Sequence, residues 1–324
     1  MDHTSYIPLT NYYHPIIEDI LNQFSKAGRL VLQAGVYSVP KIGEVIDFII
    51  DKPLDEGEFC EFYREVVNKH DYFPIQLRGE KPVIRLIPVK KHGWMKHVLK
   101  IVLFSITFIT VYLTGYGLMQ SYFEVFGGVN NIELNLWSLL FTMLFISALA
   151  FHEYGHIRVS KKFNMYIDGP YFIPAPPVQL GFIGTFGAVI NMKTLPPDRS
   201  SLSKLGLYGP LHGFIAGLII ALIGLYLSPL VEIDFANQLI ESGRATGLDF
   251  MPLILSLIMF FKTIPEGYTM FIHPLLYVSF IVFLVTFLNL IPIGQLDGGH
   301  VVKSMIYGDE YEKLGFFIPP LLFI

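Results

Sequence analysis

Hydrophobic positions along the chain fall into two regimes. After about residue 97, apolar residues run on without a break: 101–123, 134–151, 205–231 and 267–296 contain no Asp, Glu, Lys or Arg. Each reaches the roughly 18 residues that a helix needs to cross a bilayer, so four spanning helices are predicted. Two shorter uncharged runs, 250–261 and 314–324, raise the expectation to five or six membrane segments. The second of these stops at Ile324 and reads as a cut-off span. Before residue 97 the pattern is that of a water-soluble domain. Residues 15–27 and 56–70 have helical spacing, the latter with Phe59, Phe62, Tyr63, Val66 and Val67 on one side, and 73–77 and 82–89 are short β-rich runs bounded by Gly79, Pro82 and Pro88. The expected fold class is a multi-pass α-helical membrane protein carrying a small soluble α+β N-terminal domain over 1–97, with a membrane domain over 98–324.

Composition agrees with this division. Only 15% of residues are charged and 52% are apolar, with a mean hydropathy of +0.51. Residues 1–97 nevertheless hold 12 of the 23 basic and 13 of the 27 acidic residues. A net charge of −4 provides no basic stripe, which excludes nucleic acid as a partner and leaves the lipid bilayer as the first one. The single cysteine, Cys60, rules out an internal disulfide framework. The start, Met1-Asp2-His3-Thr4, lacks the basic and apolar regions of a cleaved signal peptide. No feature sets an oligomeric state.

Lys and Arg bias predicts orientation. Lys81, Lys90, Lys91, Lys96 and Lys100 precede the first span, whereas residues 120–135 after it contain no Lys or Arg, which places the N-terminal head in the cytoplasm. Arg158, Lys161, Lys162, Lys193, Arg199 and Lys204 return the next connection to that side, and the following loop holds only Arg244 and Lys262. The expected location is the plasma membrane.

Candidate chemistry sits at the end of the second span, in His152-Glu153-Tyr154-Gly155-His156. Positions i and i+4 share a helix face, so both imidazoles can bind one metal ion while Glu153 reaches its water. An ionisable group in an apolar span is costly without a partner or a wet cavity, which favours a metal site over two satisfied histidines. Two histidines and a carboxylate leave a fourth position open. Asp297 is the candidate third ligand: it ends the uncharged run 267–296, after Pro292 interrupts the helix and before Gly298-Gly299. Alone it reads more readily as a helix-terminating Asp-Gly turn, and pairing with the second span turns the balance toward a ligand. From the basic residues that follow, the metal is expected in the cytoplasmic half of the bilayer, which requires that 250–262 not cross the membrane.

The double motif, His152-Glu153-x-x-His156 followed by Asn289-x-x-Pro292 and Leu296-Asp297-Gly298, resembles the site-2 protease family of intramembrane metalloproteases, most closely its archaeal and chloroplast branch. The resemblance covers about 98–310, with a core at 134–310. It implies one Zn²⁺ per chain held by His152, His156 and Asp297, Glu153 as general base and Asn289 steadying the oxyanion. The implied activity is hydrolysis of peptide bonds in or near transmembrane segments. Gly209-Pro210 with Gly213 is similar to the family's Gly-Pro-x-x-Gly stretch, where small residues allow close packing. His212, inside that stretch, reads as a packing or hydrogen-bonded histidine, His300 as a supporting neighbour at most, and His273 as interfacial.

A helical substrate hides its carbonyls in hydrogen bonds, so the partner is expected to be a membrane protein or peptide bound in extended form. Residues 177–192 are apolar, β-rich and glycine-containing, and predict a β-hairpin near the active site whose open edge pairs with substrate. Its candidate substrate-binding residues are Phe182, Gly184, Thr185, Phe186, Gly187 and Ala188. An interfacial anchor is the competing reading of this hairpin. Other function classes fit less well. A lipoprotein-trimming zinc peptidase needs a Glu on a following apolar helix, a di-iron desaturase needs several His boxes, and Glu153 argues against a silent scaffold or transporter.

Overall fold

The computed structural model describes residues 7–8, 15–77, 79–89, 95–247 and 253–306. The run 314–324 lies outside the described residues. The chain forms two compact units, one from Met1–Gly93, Ile157–Asp168 and Asn191–Lys204, the other from Trp94–His156, Gly169–Ile190 and Leu205–Ile324.

The first unit is built on an antiparallel sheet of order β1-β2-β3-β5-β4, from β1 (Ile7–Pro8), β2 (Val31–Val39), β3 (Gly43–Ile50), β4 (Tyr72–Leu77) and β5 (Val83–Pro88). Helix α1 (Pro15–Lys26) precedes β2–β3 and α2 (Glu56–Lys69) precedes β4–β5, so a helix-hairpin unit occurs twice and the two hairpins meet at β3–β5. Alternation puts Ile46, Phe48 and Ile50 of β3 and Ile84 and Leu86 of β5 on one face, where they bury against Ile20 and Phe24 of α1 and Phe62 and Val66 of α2. On the opposite face Asp47 is buried and held by Arg85 through Nε and a second nitrogen at 2.8 and 2.9 Å, with the Tyr37 hydroxyl donating at 3.2 Å. Asp55 and Glu58 close a capping box at the start of α2. The same helix holds the segment 191–204: Tyr63 donates to the Leu195 carbonyl at 2.9 Å and the Cys60 thiol to Asp198 at 3.1 Å.

Three helices of the described residues are long and apolar enough to cross a membrane: α3 (Met95–Val125), α4 (Asn131–Lys162) and α5 (Arg199–Leu227). They account for the expected spans at 101–123, 134–151 and 205–231. The fourth run does not form one long helix. Residues 267–296 divide into strand β9 (Tyr268–Met270), helix α8 (Pro274–Asn289) and a turn leading to α9 (Asp297–Met305). At 1.5 Å per residue the 16 residues of α8 rise only about 24 Å, short of a ~30 Å hydrocarbon core. The run at 250–261 contains α7 (Leu253–Met259), seven residues and far too short to cross. An amphipathic helix, α6 (Ile233–Glu241), and the pair β8 (Leu230–Glu232) with β9 complete this end.

Within the second unit α4 is central. Phe141 and Phe145 of α4 pack with Val111 and Met119 of α3, Ile220 of α5 and Leu275, Val278 and Val282 of α8. Between α4 and α5 the chain makes a two-stranded ribbon of β6 (Ile167–Pro174) and β7 (Thr185–Met192), joined through a 3-10 turn at Val178–Leu180, so the range 177–192 expected to hold a whole hairpin supplies one strand and its partner lies upstream. The ribbon's tip is fastened to α3. Gln179 Nε2 donates to the Leu113 carbonyl at 3.0 Å, Val178 N to Thr114 Oγ1 at 3.2 Å, and Thr110 Oγ1 to the Gly184 carbonyl at 2.5 Å. Gly184, at φ +86°, is required there: a Cβ would lie 2.7 Å from the Thr110 carbonyl oxygen.

Candidate metal centre

His152, Glu153 and His156 lie on α4 where it meets the glycine face of α5. On α4, Gly155 lets the two helices touch, since a Cβ there would stand 2.7 Å from the Tyr208 carbonyl carbon and 2.9 Å from the Gly209 nitrogen. On α5, Gly206, Gly209 and Gly213 follow at intervals of three and four, which keeps them on one face. A Cβ on Gly209 would press into the His156 ring, 2.7 Å from Cδ2 with Cε1 and Nε2 nearer still. One on Gly213 would stand 2.9 Å from His152 Nδ1 and 3.1 Å from Thr286 Oγ1, and one on Gly206 would meet the Asp297 backbone. Bare backbone at these three positions therefore lets α5 lie against both histidines and the start of α9.

Asp297 arrives from the other side. It opens α9 after the turn 290–296, and the two following glycines are set by close backbone: a Cβ on Gly298 would lie 2.8 Å from the Ile291 carbonyl oxygen and one on Gly299 2.7 Å from that of Gly294. His152 Nε2 and His156 Nε2 are 3.2 Å apart, and Asp297 Oδ2 is 3.2 Å from the first and 3.4 Å from the second. The Leu205 carbonyl accepts from His156 Nδ1 at 2.8 Å, so Nδ1 carries that ring's proton and Nε2 turns its lone pair inward. All three residues are buried or nearly so.

These distances match the ligand spacing of a tetrahedral divalent-metal site. For tetrahedral coordination at about 2.0–2.1 Å, adjacent ligand atoms stand about 3.3–3.4 Å apart, the length of a tetrahedron's edge. With both Nε2 atoms unprotonated, the two imidazoles and the carboxylate would present three lone pairs to one cation at that spacing. Glu153 adds a second observation. It is 4% exposed, and its Oε2 has no hydrogen-bond partner among the described residues. A buried carboxylate oxygen left without a partner is costly unless water, metal or substrate meets it.

The other candidate residues sort by position. Asn289 is the last residue of α8, partly exposed, and no hydrogen bond ties it to the three-residue cluster among the described residues. Of the ribbon residues, Phe186 is 64% exposed while Thr185 is buried, its hydroxyl donating to the Ile173 carbonyl at 2.8 Å and accepting from Gly187 N at 2.9 Å. Gly187 takes φ +101° within β7, a backbone conformation that favours glycine. His212 bonds back to the Tyr208 carbonyl at 2.6 Å and packs on Phe151 and Tyr154. His300 belongs to α9, its Cβ close to Gly206. His273 is buried: its Nδ1 caps α8 by accepting from Leu275 N at 3.2 Å, and its ring packs on Tyr122 and Trp137. Sequence reasoning noted Gly209 and Gly213 for close packing but missed Gly155 and Gly206, although the 206-209-213 spacing already marks one helix face.

Comparison with known proteins agrees with this geometry. The profile of Peptidase family M50 matches residues 140–315, more than half of the chain. The "Probable zinc metalloprotease EGY2, chloroplastic" of Arabidopsis thaliana is 31% identical over 204 residues, 62% of this chain and 34% of its own length. The "Probable zinc metalloprotease EGY1, chloroplastic" of the same plant is 32% identical over 161 residues, 49% of this chain and 28% of its own. The "Zinc metalloprotease MJ0392" of Methanocaldococcus jannaschii is 25% identical over 171 residues, 52% of this chain and 35% of its own. The chain thus aligns with about a third of the length of these relatives. No solved structure matches it. The His152-Glu153-x-x-His156 and Asp297 cluster falls inside the matched stretch, and the chain belongs to Peptidase family M50, the site-2 protease family.

Proposed function

We propose that the chain is a zinc metalloendopeptidase that hydrolyses peptide bonds in or near transmembrane segments of other proteins. The observation that carries this reading is the convergence of His152 Nε2, His156 Nε2 and Asp297 Oδ2 beside a buried glutamate with an unpartnered oxygen. These three residues would hold one Zn²⁺, which when bound supplies Lewis acidity that lowers the pKa of water toward about 7 and polarises a carbonyl. The remaining work falls to the chain. Glu153 Oε2 takes the proton from the attacking water and returns it to the departing amine, a role open to it because no donor among the described residues claims that oxygen. Asn289 offers an amide donor to the developing oxyanion. His156 is held in the required tautomer by the Leu205 carbonyl. Phe182, Gly184, Thr185, Phe186, Gly187 and Ala188 present the ribbon to a substrate unwound into an extended strand.

In this reading the protein is embedded through five or six membrane segments, α3, α4 and α5 crossing fully, with α8 and the short α7 packed within or against the bundle. The Lys-rich flank before α3 favours a cytoplasmic head at the plasma membrane. The test is cleavage of a model single-span substrate by wild-type protein and by Glu153→Gln, with metal content measured on both. Cleavage by the wild type alone, at equal metal, supports the reading, and equal cleavage by both removes Glu153 from its role.

A further inference from the structure

Besides the metal cluster, the second unit contains an apolar cavity of about 320 Å³, lined by Phe145 and Leu149 of α4, Val285 of α8 and Phe182, Ile183 and Phe186 of the ribbon. We infer that this cavity is the specificity subsite for one large apolar side chain of the substrate, within two residues of the scissile bond. The inference rests on the peptidase reading above.

Two helices independently align the cavity with the chemistry. On α4, Phe145, Leu149 and Glu153 follow one another at intervals of four, and with His152 and His156 they fall within an arc of about 100° at 100° per residue. Leu149 is therefore one turn, about 6 Å, before Glu153 along the helix. On α8, Val285 stands the same single turn before Asn289 and is the neighbour of Thr286, which shares the space beside Gly213 with His152. An extended peptide advances about 3.3 Å per residue, so a chain whose scissile carbonyl lies near Glu153 and Asn289 brings a side chain one or two residues away over the cavity.

The lining selects for chemistry as well as place. Its one polar side chain, Thr185, already spends its hydroxyl on Ile173 and Gly187. A charged or amide side chain entering would find no free polar side chain among the described residues that line it, whereas Leu, Met or Phe would cover Phe145, Leu149 and Val285. The volume is at the small end of the range for ligand cavities and suits one side chain rather than an intact helix. Phe186, 64% exposed and 5.9 Å from Phe182 between ring centroids, stands at the cavity as an aromatic wall that an entering side chain would cover.

The test is a competition between two single-span substrates that differ only at the residues flanking the cut, one carrying Leu and the other Ala. Wild-type protein should favour the Leu substrate by about 10–100-fold in kcat/KM, the range expected for methylenes in a hydrophobic pocket. Leu149→Phe and Val285→Phe, which fill the cavity from different helices, should each cut that ratio to near one or invert it, with zinc content unchanged. A ratio that stays at the wild-type value in both variants overturns the inference, and the cavity then belongs to a lipid chain or to packing alone. A wild type that cleaves neither substrate, or a Glu153→Gln variant that cleaves both, instead overturns the peptidase reading and the subsite with it.

Discussion

Replacing Gly209 by alanine adds one methyl group at the point where α5 rests on the His156 ring. That methyl carbon would lie 2.7 Å from Cδ2 and nearer still to Nε2, whereas ordinary contact begins at 3.4 Å. The ring must retreat by at least about 0.7 Å, and its far side is tied to the Leu205 carbonyl, so it cannot swing away without losing that bond. Overpacking of this kind costs about 1–3 kcal/mol. Since Nε2 is one of the three converging donors, the cost appears as a weakening of metal affinity by about 10–100-fold, and a misplacement of about 1 Å lowers turnover by a similar factor. Gly217→Ala is the control on the same helix: the atoms nearest its methyl would belong to the Phe283 and Val282 side chains, at 3.0–3.2 Å. Zinc titration of both purified variants, followed by substrate cleavage, separates the two. The reasoning is refuted if Gly209→Ala binds zinc and turns over substrate as tightly and as fast as Gly217→Ala.

Three further expectations concern other parts of the chain. Proline at Phe186 or at Ala188 removes a backbone donor from β7, and one of the two should depress cleavage while leaving bound zinc unchanged; full turnover in both would make the ribbon an anchor. The Cys60 thiol, pushed up to about 12 by burial and by the Asp198 carboxylate, should react slowly with maleimide at pH 7.5 in native protein and rapidly after denaturation, and equal rates would contradict the Cys60–Asp198 contact. Arg85→Ala leaves Asp47 buried with only the Tyr37 hydroxyl among its side-chain partners described above, and should destabilise the N-terminal sheet by about 2 kcal/mol, the arginine's partial exposure having moderated the pair. Hydrogen exchange at β3 and β5 reads that loss, and unchanged protection there would show the pair to be dispensable.

What the sequence discloses depends on how local the signal is. The pair His152 and His156 is legible because i and i+4 guarantee a shared face once α4 is a helix. Asp297 becomes a ligand candidate only beside that pair, because alone a carboxylate ending an uncharged run reads as a helix-terminating Asp-Gly turn. The run 267–296 misleads because the absence of charge does not distinguish a short strand, a 16-residue helix and a turn, while the start of α8 depends on His273 acting as its cap. Strands β2 and β3 escape notice for a different reason. Their hairpin turns at Pro40-Lys41, where Lys41 takes φ +69°, a conformation that a glycine would have advertised. Gly155 is silent in sequence because a lone glycine in an apolar helix is unremarkable until the partner helix is known, whereas Gly206 is marked by its spacing from Gly209 and Gly213.

The central claim is that His152, His156 and Asp297 form one zinc site served by Glu153, and the most direct measurement is metal content together with single-turnover cleavage for wild type, Asp297→Ala and Glu153→Gln. One zinc per chain is expected in the wild type and in Glu153→Gln, with cleavage only in the wild type, and loss of both metal and cleavage in Asp297→Ala. Retention of zinc and activity by Asp297→Ala would contradict the site as described.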